Sequence, residues 1–106
     1  MAKYLLEVSY GPDGAKGLLK DGGSKRRQVV EGLVNTNGGK LEAFYFAFGK
    51  KDADVIVEVP DHATAAAMAL VVNASGAASV TTTVLLTPEE IDKASKKNFS
   101  YSPPGR

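Results

Sequence analysis

Residues Lys40–Phe48 read KLEAFYFAF, and the fold turns on how that stretch is covered. Side chains alternate along a strand, so Leu41, Ala43, Tyr45 and Ala47 are expected on one face. Phe44, Phe46 and Phe48 are expected on the other, a set broken by Glu42. Both sets are apolar, so the pattern predicts cover on both faces of a single strand.

Working outward, Lys3–Tyr10 (KYLLEVSY) alternates with Tyr4, Leu6, Val8 and Tyr10 as one face, which is the mark of a half-buried strand. GPDG at 11–14 predicts a turn, and AKGLLK a short helical segment broken by DGG at 21–23. Ser24 is placed to cap a second helix over 24–36, with Val29, Val30, Leu33 and Val34 as its buried stripe. NTNGG then supplies residues that tolerate the left-handed backbone of a helix end.

Beyond Phe48, GKKDAD predicts a turn and DVIVEVP a third strand closed by Pro60, which has no amide for a ladder. Asp61 is expected to cap an Ala-rich helix ending at Gly76. ASVTTTVLL reads as a fourth strand. Thr87, Pro88 and Glu90 together form a capping box with proline at the first helical position. The resulting β-α-β-β-α-β order predicts an α+β, ferredoxin-like domain over 1–95, an antiparallel sheet with both main helices on one face. An extended or disordered arm, containing NFSYSPPGR, is expected over 96–106. The uncovered sheet face predicts a homo-oligomer, most simply a twofold dimer formed through that face.

The chain has 106 residues and no cysteine, which excludes disulfides and thiolate chemistry. Thirteen Lys and Arg against twelve Asp and Glu leave a net charge of +1, too small to steer the chain to nucleic acid or anionic lipid. The start, MAKYLLEV, is too polar for a signal peptide, and no apolar run is long enough to span a bilayer. These features lead to the expectation of a cytoplasmic protein with no nucleic-acid or membrane partner, no cofactor and no metal.

Candidate binding residues are few. Ser24, with Lys25, Arg26 and Arg27 behind it, could hold an anion at a helix start. The run lacks the order of a phosphate-binding P-loop, and a solvated basic face is the plainer account. Basic residues in a first turn oppose the helix dipole, so Asp21 or Glu31 is expected as their partner. His62, the one histidine, could serve as a base, although an exposed first-turn residue is the simpler reading; one histidine with scattered acids makes no metal centre. Tyr10, Tyr45 and Asn73 could line a cleft between sheet and helices, as alternatives to packing for the tyrosines and a helix cap for Asn73.

GAKGLLKDGGSKRR (14–27), GGKLEAFYFAFG (38–49), and NASGA with TTTVLLTPEEID (73–92) closely resemble the GYD domain family. The resemblance implies a branch of the dimeric α/β-barrel proteins, in which two ferredoxin-like sheets pair, and it implies no particular activity. Gly49 and Asp52 fit the family's signature, whereas Lys51 stands where an aromatic residue is expected, so no role of that residue transfers. The broader superfamily includes cofactor-free oxygenases and haem-degrading enzymes, an analogy of fold alone. Three functions follow for testing: a small oligomer that binds a small ligand or serves a structural role, a cofactor-independent monooxygenase or isomerase, and an anion or nucleotide binder at Ser24–Arg27.

Overall fold

In strand β1 (Ala2–Tyr10), Tyr4, Leu6 and Val8 alternate with Lys3, Leu5 and Glu7, and the layers of the computed structural model, which describes residues 1–106, follow that division. After β1 come helices α1 (Pro12–Asp21) and α2 (Gly23–Thr36), then strands β2 (Lys40–Phe46) and β3 (Ala53–Val59). Helix α3 (His62–Ala74), strand β4 (Ala78–Leu85) and helix α4 (Pro88–Ser95) complete the chain. The four strands form one antiparallel sheet in the order β2-β3-β1-β4. Strands β1 and β3 are central, so the two β-α-β crossovers are each split by an intervening strand. The domain is therefore α+β, with an open sheet and four helices.

The β2 pattern resolves differently from a simple alternation. The β2–β3 register runs Leu41↔Val57 and then Ala43↔Ile56, so Glu42 is the extra residue of a β-bulge. Below the bulge, Phe44 and Phe46 pair with Val55 and Ala53. Val57, Val55 and Ala53 are all buried on the helix side. Leu41, Phe44 and Phe46 therefore share that side, and the opposite face receives Lys40, Ala43 and Tyr45. This corrects the expected division of Leu41 from the phenylalanines. Burying a side chain of this size is worth about 1.5–3 kcal/mol. Losing one ladder hydrogen bond at an edge strand costs about 1 kcal/mol. The bulge is the cheaper arrangement. The strand also ends at Phe46, two residues earlier than expected, and Phe48 lies in the following turn with a φ of 56°.

The core is continuous: Tyr4 and Leu6 from β1, Leu41 from β2 and Val55, Val57 and Val59 from β3 meet Val34 of α2 and Ala65 and Met68 of α3. Helix α2 packs chiefly on β2, and α3 chiefly on β4. Helix α1 begins at Pro12, so GPDG is a helix entry rather than a free turn. It reaches the end of the sheet because Gly14 carries no Cβ, which would lie 2.2 Å from the Ala77 carbonyl oxygen. The α1–α2 junction is Gly22, at φ 82°, a backbone conformation that only glycine adopts without strain. That geometry displaces the expected cap: α2 starts at Gly23, and Ser24 makes no capping bond.

Other helix ends match their sequence signals. The Asp61 carboxylate accepts from the Thr64 N–H at 2.8 Å and from the Thr64 hydroxyl at 2.7 Å. The Thr87–Glu90 capping box is complete at 3.0 and 3.1 Å. Gly76 follows α3 with φ 75°.

The sheet face away from the core contains no buried residue; Leu5 and Ile56 are half-buried at its centre, and Tyr45 is 71 % exposed. Lys3 lies there between Glu42 (2.8 Å) and Glu58 (3.5 Å), whose carboxylates, Glu42 foremost, raise its pKa above 10.5. The C-terminal segment does not close this face with its own apolar groups. Every residue of α4 is exposed, as are Phe99 (85 %) and Tyr101 (74 %). The radius of gyration, 17.0 Å, exceeds the about 13 Å usual for a compact chain of this length, and the long axis is 57 Å.

Deletion of Glu42 removes the extra residue and leaves a regular ladder, with Leu41 still opposite Val57 and Ala43 still opposite Ile56. The urea midpoint should therefore stay close to that of the parent, since only the surface pair with Lys3 is lost; a fall equivalent to about 2 kcal/mol or more, the loss of one buried leucine, contradicts the register. A second test is by pH. The Thr64 backbone N–H, then its hydroxyl, lowers the Asp61 pKa below 3.8. A lowered carboxylate pKa contributes stability above the unfolded value and loses it as pH falls through the folded one. Asp61→Asn should therefore be less stable than the parent at neutral pH, and the gap should close progressively below about pH 3.8 in thermal melts.

Candidate functional site

The two main helices lie over opposite halves of the sheet, and the cleft between them leaves an apolar cavity of about 60 Å³. Its floor is Leu6, Val8 and Val55, with Phe44 and Val80 to the sides. One wall is Val29, Val30 and Leu33 of α2; the other is Met68, Ala69 and Val72 of α3. Small side chains at Ala65 and Ala69 let α3 approach the sheet, but they do not reach across to α2, which is why space remains. Twelve of the thirteen lining residues are hydrophobic. The exception is Arg26.

Arg26 occupies a position in α2 that its sequence spacing gives to an apolar residue. Positions 26, 29, 30, 33 and 34 follow the i, i+3, i+4, i+7, i+8 stripe of one helix face. The buried stripe expected from Val29 to Val34 thus extends one turn back to a guanidinium. The Arg26 Nε is sequestered from solvent, and no protein atom accepts a hydrogen bond from it. Its neighbour Arg27 points elsewhere and pairs with Glu31 at 3.6 Å, as the i,i+4 spacing allows. A second cleft of about 200 Å³ adjoins the first and shares Arg26 and Val29 with it. Its other lining includes Asp13, Gly17 and Leu18 of α1, with Asp21 and Lys25.

Tyr10 ends β1 beside this cavity and also borders an open groove of about 340 Å³ with Leu18, Leu19 and Phe48. Its position is fixed by Asp52, whose Oδ2 accepts from the Tyr10 backbone N–H at 2.8 Å. The Asp52 N–H in turn donates to the Val8 carbonyl, also at 2.8 Å. The aspartate that follows the Gly49-Lys50-Lys51 turn thereby fastens the β2–β3 connection to the cavity floor.

The remaining sequence candidates disperse. Tyr45 lies on the opposite face of the sheet, so it does not meet Tyr10 in one cleft. The Asn73 side chain reaches away from the cavity; its Oδ1 accepts from the Val80 N–H at 2.8 Å and ties the end of α3 to β4. Ser24 is exposed and makes no cap. His62 lines none of the three cavities; its Nδ1 is hydrogen-bonded to the hydroxyl of Tyr4, a residue 2 % exposed whose ring meets the imidazole edge-on. The contact satisfies a core tyrosine and seats the start of α3. No group of three His, Asp or Glu side chains converges as a metal site would need. Of the seven candidates, the fold brings Tyr10 and Arg26 to one cavity.

The arrangement offers a small apolar volume, one permanently charged planar donor at its rim, and a polar cleft leading to it. Such a combination can hold and orient a small molecule. It contains no nucleophile–base pair. No helix is long and apolar enough to cross a membrane.

Comparison with curated proteins and with solved structures returns no match. The family comparison is positive: residues 4–95, nearly the whole of the chain, match the GYD domain, and the protein belongs to the GYD domain family.

Proposed function

We propose that this GYD-domain protein is a small oligomer of ferredoxin-like topology that binds a small molecule in the cavity between α2 and α3. The observation that carries the binding reading is the unpaired Arg26 Nε at the rim of an otherwise apolar cavity. A buried donor without an acceptor costs about 1–3 kcal/mol. A purely structural protein gains by replacing it with an apolar side chain, so its presence favours a ligand that supplies the acceptor.

Pairing through the uncovered sheet face is supported by three features. Leu5 and Ile56 form an apolar centre there, Tyr45 stands exposed beside them, and the segment from Leu86 onward presents Ile91, Phe99 and Tyr101 to solvent without packing on its own domain. A second copy is the occupant that offers matching apolar surface for both, and twofold pairing is the commonest such solution.

Native mass spectrometry tests both parts of this proposal. The expected species has about twice the 11.1 kDa chain mass and carries a small adduct. An 11.1 kDa species alone at low micromolar concentration overturns the pairing. Arg26→Met addresses the site itself. Removing the unpaired donor while keeping the stem should leave the ligand-free protein as stable as the parent, or more so by about 1 kcal/mol, in urea titrations. A clear loss of stability would mean that Arg26 serves the fold and has no unmet acceptor.

A further inference from the structure

We infer that the ligand of the α2–α3 cavity is a small monocarboxylate with a short branched aliphatic tail, its carboxylate held by Arg26 and its tail against Val8, Val55 and Val72. The inference rests on the reading of that cavity as a binding site and adds the chemistry of what fills it.

Three observations select the class. The first is charge. The guanidinium is permanently protonated. The ion pairs of the chain are Lys3 with Glu42 and Glu58, and Arg27 with Glu31, so no carboxylate of the protein neutralises Arg26. Its planar fork matches a carboxylate in geometry. A neutral ligand would leave the guanidinium without a carboxylate in contact with it.

The second is volume. A cavity of about 150 Å³ holds benzene. At about 60 Å³ the space between the helices takes only a few carbons, too few for a fused ring. A branched end fills a short, wide space better than a straight one. Inorganic phosphate has no apolar part and would leave the floor unfilled.

The third is the neighbouring cleft. Asp13 and Asp21 share it with Lys25 and Arg26. Once Arg26 holds one carboxylate, Asp13 and Asp21 outnumber Lys25, the other cation of the cleft, and a second negative charge on the ligand gains nothing there, which favours a monoanion over a dicarboxylate or a phosphate dianion. The cleft also provides the route by which the charged end reaches Arg26 without crossing the apolar wall.

Isovalerate is the probe, with isovaleramide and 3-methylbutanol as its neutral counterparts. Each is titrated into the full-length protein at neutral pH, and the Val, Leu and Met methyl resonances of the cavity report binding. Isovalerate should bind about tenfold or more tightly than either neutral compound, the margin expected of a charge-assisted hydrogen bond. Arg26→Gln should abolish that margin and leave 3-methylbutanol binding unchanged. Arg26→Lys should retain part of it, since it keeps the charge and loses the fork; this variant and the amide comparison decide the matter should Arg26→Gln fold poorly. Ala69→Leu, which fills the cavity, should weaken all three compounds. Equal affinity for isovalerate and isovaleramide overturns the carboxylate assignment while the cavity remains a binding site. Failure of all three to move any cavity methyl at tens of millimolar overturns both.

Discussion

One extra residue in an edge strand sets the character of both sides of the sheet. With Glu42 bulged out, Leu41 joins Phe44 and Phe46 against the helices, and the outward set of β2 shrinks to Lys40, Ala43 and Tyr45. The energetic ordering is plain: three large apolar side chains placed on the core side outweigh one irregular ladder position. A strand that looks two-faced in sequence thus acts as a one-faced strand. Glu42 is also put to use, because its carboxylate meets Lys3 of β1 across β3 at 2.8 Å. The exposed sheet face is consequently mixed, with Leu5 and Ile56 surrounded by charge and hydroxyls, and not the aromatic surface that strict alternation would give.

The cavity has a related origin. Phe44 lies on the helix side because of the bulge, and there it forms a side of the cavity under α2. Across the cleft, α3 approaches the sheet on alanines. A helix seated low on small side chains leaves its neighbour nothing to interlock with, so α2 and α3 each pack on the sheet and leave a gap between them. A larger residue at Ala69 would close it. The gap forfeits dispersion contacts on its lining, and Arg26 adds a half-buried cation. Local departures from the most stable choice, clustered at one place, are the pattern expected of a binding site set in an otherwise consistent fold.

How much of this was legible in the sequence depends on the range of the interaction concerned. The order of strands and main helices, the Asp61 cap, the Thr87–Glu90 capping box and the Gly76 stop are encoded within a few residues, and each appears as read. The bulge is a relation between two strands: nothing within KLEAFYFAF says which residue goes unpaired until Val57 and Ile56 are set opposite it. Ser24 failed as a cap because Gly22 turns the chain so that α2 begins one residue earlier. Arg26 was visible as part of a basic triplet, but its separation from Lys25 and Arg27 required extending the valine stripe back by one turn. The seat of His62 on Tyr4 joins residues 58 positions apart and has no local signature.

The sheet is one backbone thick, and that thinness places the two proposed surfaces back to back. Along β1, Leu6 and Val8 floor the cavity, while Leu5 and Glu7, alternating with them, face the open side. Along β3, Val55 belongs to the cavity, and Asp54 and Ile56 to the other face. Glu7 lies directly opposite Asp54, a like-charged cross-strand pair that costs stability in a lone chain. A partner that brought a cation to that pair would relieve the repulsion and favour one setting of β1 against β3. Those two strands also carry the cavity floor. Any such adjustment would therefore be felt at Val8 and Val55 through the backbone they share with Glu7 and Asp54, with no longer path required.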